Sequence, residues 1–227
     1  MSLIELNQTC LEIWGYPMSY LELFGTLTGL LTVWLAAKAH VLTWPTGLVN
    51  NLAFFLLFYQ VQLYSDMFLQ VYFFVVSLYG WWNWRGNATQ PSKNITVLKT
   101  QTRVFLVVIT LISVVAVGYG MSFIHIYLPA FFPQPASYPY ADAFTAVLSI
   151  VATLTMAKKK IECWILWILV DVVSIGLYAI KDIRLISLEY AIFLGICLMG
   201  LWQWTKLYTH ENRTGAGEVY AHPQGTP

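Results

Sequence analysis

Five side chains on one stretch of this sequence have the types and spacing to hold a flat organic cation. Trp164, Trp167, Asp171, Ser174 and Tyr178 are separated by 3, 4, 3 and 4 residues, so on a helix they share one face. Indole faces attract positive charge, by about 2 kcal/mol where water is excluded, and a carboxylate one turn along neutralises it. The plain alternative is that both tryptophans anchor a membrane interface and Asp171 is a structural hydrogen-bond partner. Trp164 fits that alternative; Trp167 and Asp171 lie too deep in their apolar stretch for it.

A second stretch repeats the face with Trp44, Gly47, Asn51, Phe54 and Phe58. Asn51 lies 120 residues before Asp171, and Gly47 the same distance before Trp167. One half therefore offers bulk and charge, the other space and an amide, as a ligand lying asymmetrically across the two would need. Interhelical amide bonding is the bland reading of Asn51 and of its neighbour Asn50. A third stripe holds Asp66, Gln70, Phe73 and Ser77; Gln70 can both donate and accept hydrogen bonds. Its counterpart at the same offset is Tyr190, preceded by Glu189. Glu22 and Asp142 begin helices, where negative charge is stabilising without further purpose. Asn83 and Gln203 read as interfacial packing rather than as a gate.

The chemistry that is missing narrows the field. No phosphate loop, metal-ligand cluster or nucleophile–base pair is visible, so the chain is not expected to be an enzyme or to carry a cofactor or metal. Cys10, Cys163 and Cys197 are too few and too scattered for a disulfide framework. A net charge of +1 offers no surface for nucleic acid. Of 227 residues, 58% are hydrophobic and only 10% charged, against roughly 45–50% and about 25% in soluble domains. The chain belongs in a membrane.

Positioning such a site takes helices, since every backbone amide in lipid must be paired and a bilayer core of about 30 Å takes roughly 20 residues per span. Seven stretches qualify: 20–38, 44–63, 68–84, 104–124, 141–157, 163–180 and 187–207. Residues 1–19 read as an interfacial segment, with Leu3, Leu6, Cys10 and Trp14 at the spacing of a short amphipathic helix; a frayed terminus is the equal alternative. Four prolines stiffen 127–140, namely Pro129, Pro133, Pro135 and Pro139, and residues 208–227 read as a disordered tail. Lys38, Arg85, Lys93, Lys99, Arg103, Lys158, Lys159, Lys160, Lys206 and Arg213 fall on one side, and only Lys181 and Arg184 on the other. The side rich in Lys and Arg is cytoplasmic by the positive-inside rule, which puts the N-terminus outside and the C-terminus in the cytoplasm.

The 120-residue offset relates positions 20–84 to 140–204. Ala37-Lys38 meets Ala157-Lys158, Trp44 meets Trp164, and Gly80-x-Trp82-x-Trp84 meets Gly200-x-Trp202-x-Trp204. Positions 20–84 and their partners share 11 identities over 65 positions. Residues 20–84 thus form one three-helix repeat and 141–207 a second, with 85–140 supplying a linker and the fourth span. The expected fold is an all-α integral membrane protein with a 3+1+3 parallel repeat, as in SWEET-type sugar carriers, and a site on the axis between the bundles.

Several runs then resemble one family. Trp44-Pro45-x-Gly47, Asn51, Leu63-Tyr64-Ser65-Asp66-x-x-Leu69-Gln70-x-Tyr72 and Gly80-Trp81-Trp82-x-Trp84 are similar to the PnuC-type vitamin transporters of bacteria. So is Lys158-Lys159-Lys160-Ile161-Glu162-x-Trp164-x-x-Trp167-x-x-x-Asp171. The resemblance covers about residues 20–204. It implies uptake of nicotinamide riboside across the bacterial inner membrane by facilitated diffusion, with a cytoplasmic kinase trapping the riboside. It also implies that Trp164, Trp167, Asp171 and Gln70 contact substrate. Relatives carrying thiamin or riboflavin keep those vitamins open as alternatives; from the residues alone, so do a small-sugar carrier and a non-transporting membrane receptor. The expected partners are the substrate and the bilayer. A homotrimer is compatible with a carrier of this size, and no feature of the sequence demands one.

Overall fold

The computed structural model describes residues 9–13, 16–60, 64–86, 95–129, 132 and 134–221. Leu3, Leu6, Trp14, Leu63, Lys93, Pro133 and residues 222–227, which figure in the sequence reading, lie outside the described residues. Seven helices follow a short hairpin: β1 (Thr9–Ile13), β2 (Tyr16–Ser19), α1 (Tyr20–Ala37), α2 (Thr43–Gln60), α3 (Tyr64–Arg85), α4 (Thr100–Tyr127), α5 (Pro139–Ala157), α6 (Glu162–Ile180) and α7 (Arg184–Ala221). Five of them, α1, α4, α5, α6 and α7, are long and apolar enough to cross a membrane. In α2 and α3 the shortfall is in apolarity rather than length: they carry Asn50, Asn51 and Gln60, and Asp66, Gln70 and Asn83.

Two segments differ from the sequence reading. The N-terminal segment is not a helix where it is described: β1 and β2 pair antiparallel, with Leu11 opposite Met18 and Ile13 opposite Tyr16. Pro17 explains the change, because a proline inside a helix removes a hydrogen bond and clashes with the preceding turn, while here it sits in a two-stranded edge. Ser19 then caps α1, its hydroxyl accepting from Glu22 N–H at 3.1 Å, and the Tyr16 hydroxyl donates to Glu22 at 2.5 Å. At the other end, α7 continues as helix to Ala221, through residues read from the sequence as a disordered tail. Extending a formed helix adds one hydrogen bond per residue fixed and requires no new nucleus.

Within 20–85, α2 packs on both α1 and α3; within 139–212, α6 packs on both α5 and α7. Two seams join these triplets, α3 against α5 and α1 against α7, while α4 packs on α5. The turns 38–43 and 158–163 are built alike. Ala39 and Lys159 adopt φ of 53° and 50°, and each closes a helix in the same way. Ala39 N–H donates to Ala36 O and His40 N–H to Leu35 O; Lys159 N–H donates to Met156 O and Lys160 N–H to Thr155 O. This is the left-handed helix stop that usually takes glycine, here reached by residues with side chains.

Four buried indoles meet at the basic end. Trp44 stands edge-on to Trp84 (centroids 5.2 Å apart, 89°), Trp164 edge-on to Trp204 (5.6 Å, 84°), and Trp84 touches Trp204 at 5.8 Å. Edge-to-face pairs are favoured by the ring quadrupole, each by about 0.5–1.5 kcal/mol beyond area burial. Glycine makes the approach feasible: a Cβ on Gly80 would come within 2.5 Å of the Trp44 ring, and one on Gly200 within 2.7 Å of Trp164. The Trp84 indole N–H donates to Ala157 O at 3.1 Å, and that of Trp204 to Ala36 O at 3.0 Å. Asn83 also donates to Ala157 O, at 2.9 Å. The residue read as interfacial packing therefore bridges α3 and α5.

The second triplet has a clasp that the first lacks among the described residues. Thr96 N–H donates to Lys159 O and Ile161 N–H to Thr96 O. The Lys160 ammonium reaches the Thr96 hydroxyl at 2.7 Å. Glu162 accepts from Leu98 N–H and pairs with Arg103 at 2.7 Å. The start of α4 is thereby tied to the α5–α6 turn. Beside it, Lys159 is buried with its ammonium 5.0 Å from the Trp84 ring centroid.

Two predictions follow from this packing. Gly200→Ala should lower the melting temperature in detergent by several degrees, since overpacking a core costs about 1–3 kcal/mol; Gly176→Ala, where a Cβ meets nothing within 4 Å, should leave it unchanged or raised. The second concerns Lys159, whose ammonium pKa burial lowers from its ordinary 10.5. The folded protein then binds this proton less readily than the unfolded chain, so the cost is full below the folded pKa and relieved as pH rises through it toward the ordinary value. The melting temperature should gain an increment on that alkaline approach in wild type, and Lys159→Met should lack it.

Candidate functional site

The two stretches singled out by spacing become α2 and α6, each the middle helix of its triplet. Asp171 sits two turns along α6 from Trp164, is 2% exposed, and its Oδ2 has no hydrogen-bond partner. Such a group inside a membrane protein is expensive without a partner or a polar ligand. The Cys197 thiol of α7 faces its carboxylate. At the 120-residue offset the corresponding pair is Asn51 and Ser77, where the Asn51 amide donates to the Ser77 hydroxyl at 3.3 Å. Both pairs tie a middle helix to the third helix of its triplet. One is a neutral amide–hydroxyl bond, the other a carboxylate beside a weak donor.

Around Asp171 the site is aromatic. Trp167, one turn away, is partly buried between the indole cluster and the apolar contact of α4, α5 and α6 formed by Val114, Val147, Leu148 and Val170. Its indole N–H is buried without a partner. On the other side of Asp171, Ser174 faces the hydroxyl of Tyr190, and Tyr190 stacks on Tyr178 with centroids 5.5 Å apart and planes 12° from parallel. Phe193 follows at 6.2 Å from Tyr190 and approaches Gly29 of α1. Gln70, half-buried on α3, has a side chain that makes no hydrogen bond to another described residue.

Other sequence candidates are already engaged. Trp44 and Trp164 are 3% and 0% exposed within the four-indole cluster, where their rings pack against Gly80 and Gly200. Asn50 donates to Gly25 O at 2.6 Å and to the Thr28 hydroxyl at 3.3 Å, the interhelical amide bonding that was its bland reading. Glu189 faces Thr26 across the α1–α7 seam. Sequence reasoning passed over Cys197 and Phe193. Cysteine was weighed only for disulfides and metals; the signal that finds Cys197 is its offset partner Ser77.

This arrangement combines a dry carboxylate with a free oxygen, an adjacent indole and a stacked pair of phenols. It can neutralise a flat cation and stack it while donating to its polar edge. Among the described residues no group of His, Cys, Asp and Glu is placed to hold a metal.

A helical bundle with several spanning helices and a buried polar site between them is the build of a multi-pass membrane transporter. The family model described as nicotinamide mononucleotide transporter matches residues 19–206, and the chain belongs to that family. It is 32% identical over 210 residues to the nicotinamide riboside transporter PnuC of Escherichia coli, covering 84% of this chain and 87% of that one. It is 25% identical over 202 residues to the riboflavin/roseoflavin transporter RibM of Streptomyces davaonensis, covering 88% and 91%. The fold is similar to a crystal structure of the vitamin B3 transporter PnuC, with a TM-score of 0.65 and 23% identity over 86% of this chain and 84% of that one. The family and these relatives are transporters, not enzymes.

Proposed function

We propose that this chain carries nicotinamide riboside across the bacterial inner membrane by facilitated diffusion. The observation that carries the reading is the buried Asp171 carboxylate, with one oxygen unpartnered, beside Trp167 and the Tyr178–Tyr190 stack. The riboside is a planar pyridinium with an amide and two ring hydroxyls. Trp167 and Asp171 take the charged ring; Gln70, Asn51 and Tyr190 take the carboxamide or ribose. Asn50 and Glu189 support the rim, and Trp44 and Trp164 back the site from the indole cluster. The riboside named for the Escherichia coli relative has this chemistry.

The reading includes alternating access by two like-oriented triplets. The matching turns at Ala39 and Lys159, the matching indole pairs, and two seams that exchange under the 120-residue offset support such a parallel repeat. All seven helices then span, with the basic end cytoplasmic and the N-terminus outside. A carrier without coupling only equilibrates its ligand, so net uptake rests on trapping by a cytoplasmic kinase. A homotrimer is compatible with this scheme.

A second reading rests on the similarity to RibM. Riboflavin is flat but uncharged, so the carboxylate separates the two. Asp171→Asn should weaken binding of nicotinamide riboside by at least about tenfold, the scale of one desolvated charge interaction, in equilibrium titrations of solubilised protein. Riboflavin bound tightly by wild type and equally by the variant, with no binding of the riboside, would install the second reading in place of the first.

A further inference from the structure

We propose that Trp84 and Trp204 are the gate at the basic end of the carrier: their indole N–H groups latch the two seams, and both bonds must break for substrate to leave there. The proposal rests on the carrier reading above and goes beyond it in naming the latch.

The four indoles of the cluster are not equivalent. Trp44 and Trp164 pack on glycines of their own triplets, Gly80 and Gly200, and their N–H groups have no partner. Trp84 and Trp204 instead donate across the seams, α3 to Ala157 O of α5 and α7 to Ala36 O of α1. Both acceptors lie in the last turn of a helix, where carbonyls run short of intrahelical donors; Ala36 O is also met by Ala39 N–H at the helix stop, so it keeps a backbone donor when the indole leaves. Parting the seam returns these carbonyls to water without unwinding anything, as a reversible latch requires. The two rings also touch each other at 5.8 Å, so the latches form one plug across the bundle. At 1% and 0% exposure both rings are closed off from solvent.

The seams are also held unequally. Asn83 adds a second donor to Ala157 O, and Lys159 lies over the Trp84 ring. At Ala36 O the Trp204 indole N–H is joined by the backbone N–H of Ala39. The α1–α7 seam therefore parts first, with α4 and the α5–α6 turn moving as one piece because of the Thr96–Lys160 and Arg103–Glu162 contacts.

Two native thiols report on this plug. Cys163 and Cys197 are 0% and 2% exposed and belong to the same cluster. In a Cys10→Ser background, their alkylation by N-ethylmaleimide supplied from the basic side is followed by peptide mass mapping. Phenylalanine keeps a ring and removes the donor. Trp204→Phe should speed labelling at least about fivefold, and Trp84→Phe by a smaller factor, as expected for loss of one net hydrogen bond from a two-state equilibrium. Trp44→Phe and Trp164→Phe, which lose no bonded N–H, should label at the wild-type rate. Unchanged labelling in both latch variants overturns the proposal. So does equal acceleration in all four, which signals loosened packing. Should a latch variant elute as aggregate, wild type decides: the thiols must label faster during saturating riboside exchange, and inert thiols during measurable flux overturn the gate. The variant arm needs no substrate, so absence of riboside binding would sink the function while leaving the latch tested.

Discussion

The fold turns on how four large flat side chains meet at one end of the bundle. Indoles pack edge to face because of their quadrupoles, and that geometry requires backbone to come unusually close. Gly80 and Gly200 supply the space, and Trp44 and Trp164 fill it. The edge-on pairs are then brought together by Trp84 and Trp204. Hydrophobic burial contributes little between helices in lipid, where the tails are as apolar as leucine. Shape and hydrogen bonds must hold the seams instead, and the tryptophan N–H groups provide both.

The same pairing logic sets the candidate site. Each middle helix is joined to the third helix of its triplet at one polar position, Asn51 with Ser77 and Asp171 with Cys197. The first pair satisfies itself. The second leaves a carboxylate oxygen without a protein donor. The two pairs stand at one constant sequence offset yet differ in charge, and the difference falls where a polar ligand has most to offer. The clasp around Thr96 extends the asymmetry to the end of the molecule.

Much of this was legible before any coordinates. Seven helical segments follow from apolar run lengths, and the aligned tryptophans follow from sliding the chain along itself. Trp167, Asp171 and Gln70 stand out because polar and aromatic residues are conspicuous in an apolar background. Where the structure adds to that reading or departs from it, the causes are physical. Spacing of apolar residues around Cys10 and Trp14 suggested a helix, but Pro17 and cross-strand pairing prevail beyond it. Trp44 and Trp164 have the spacing of a ligand face, and spacing alone did not show that Gly80 and Gly200 make room for their rings. Asn83 and Cys197 matter only through groups more than twenty residues away, Ala157 and Asp171.

The sequence by itself determined that this is a helical membrane protein, where its helices lie, and which residues are too polar to be there by default. Those are properties of composition and period, which act locally along the chain. Which indoles pack, which donate across a seam, and which carboxylate oxygen is left over were decided only by tertiary structure. Each depends on two helices distant in sequence presenting particular atoms within hydrogen-bonding reach, and periodicity along one helix carries no information about that distance.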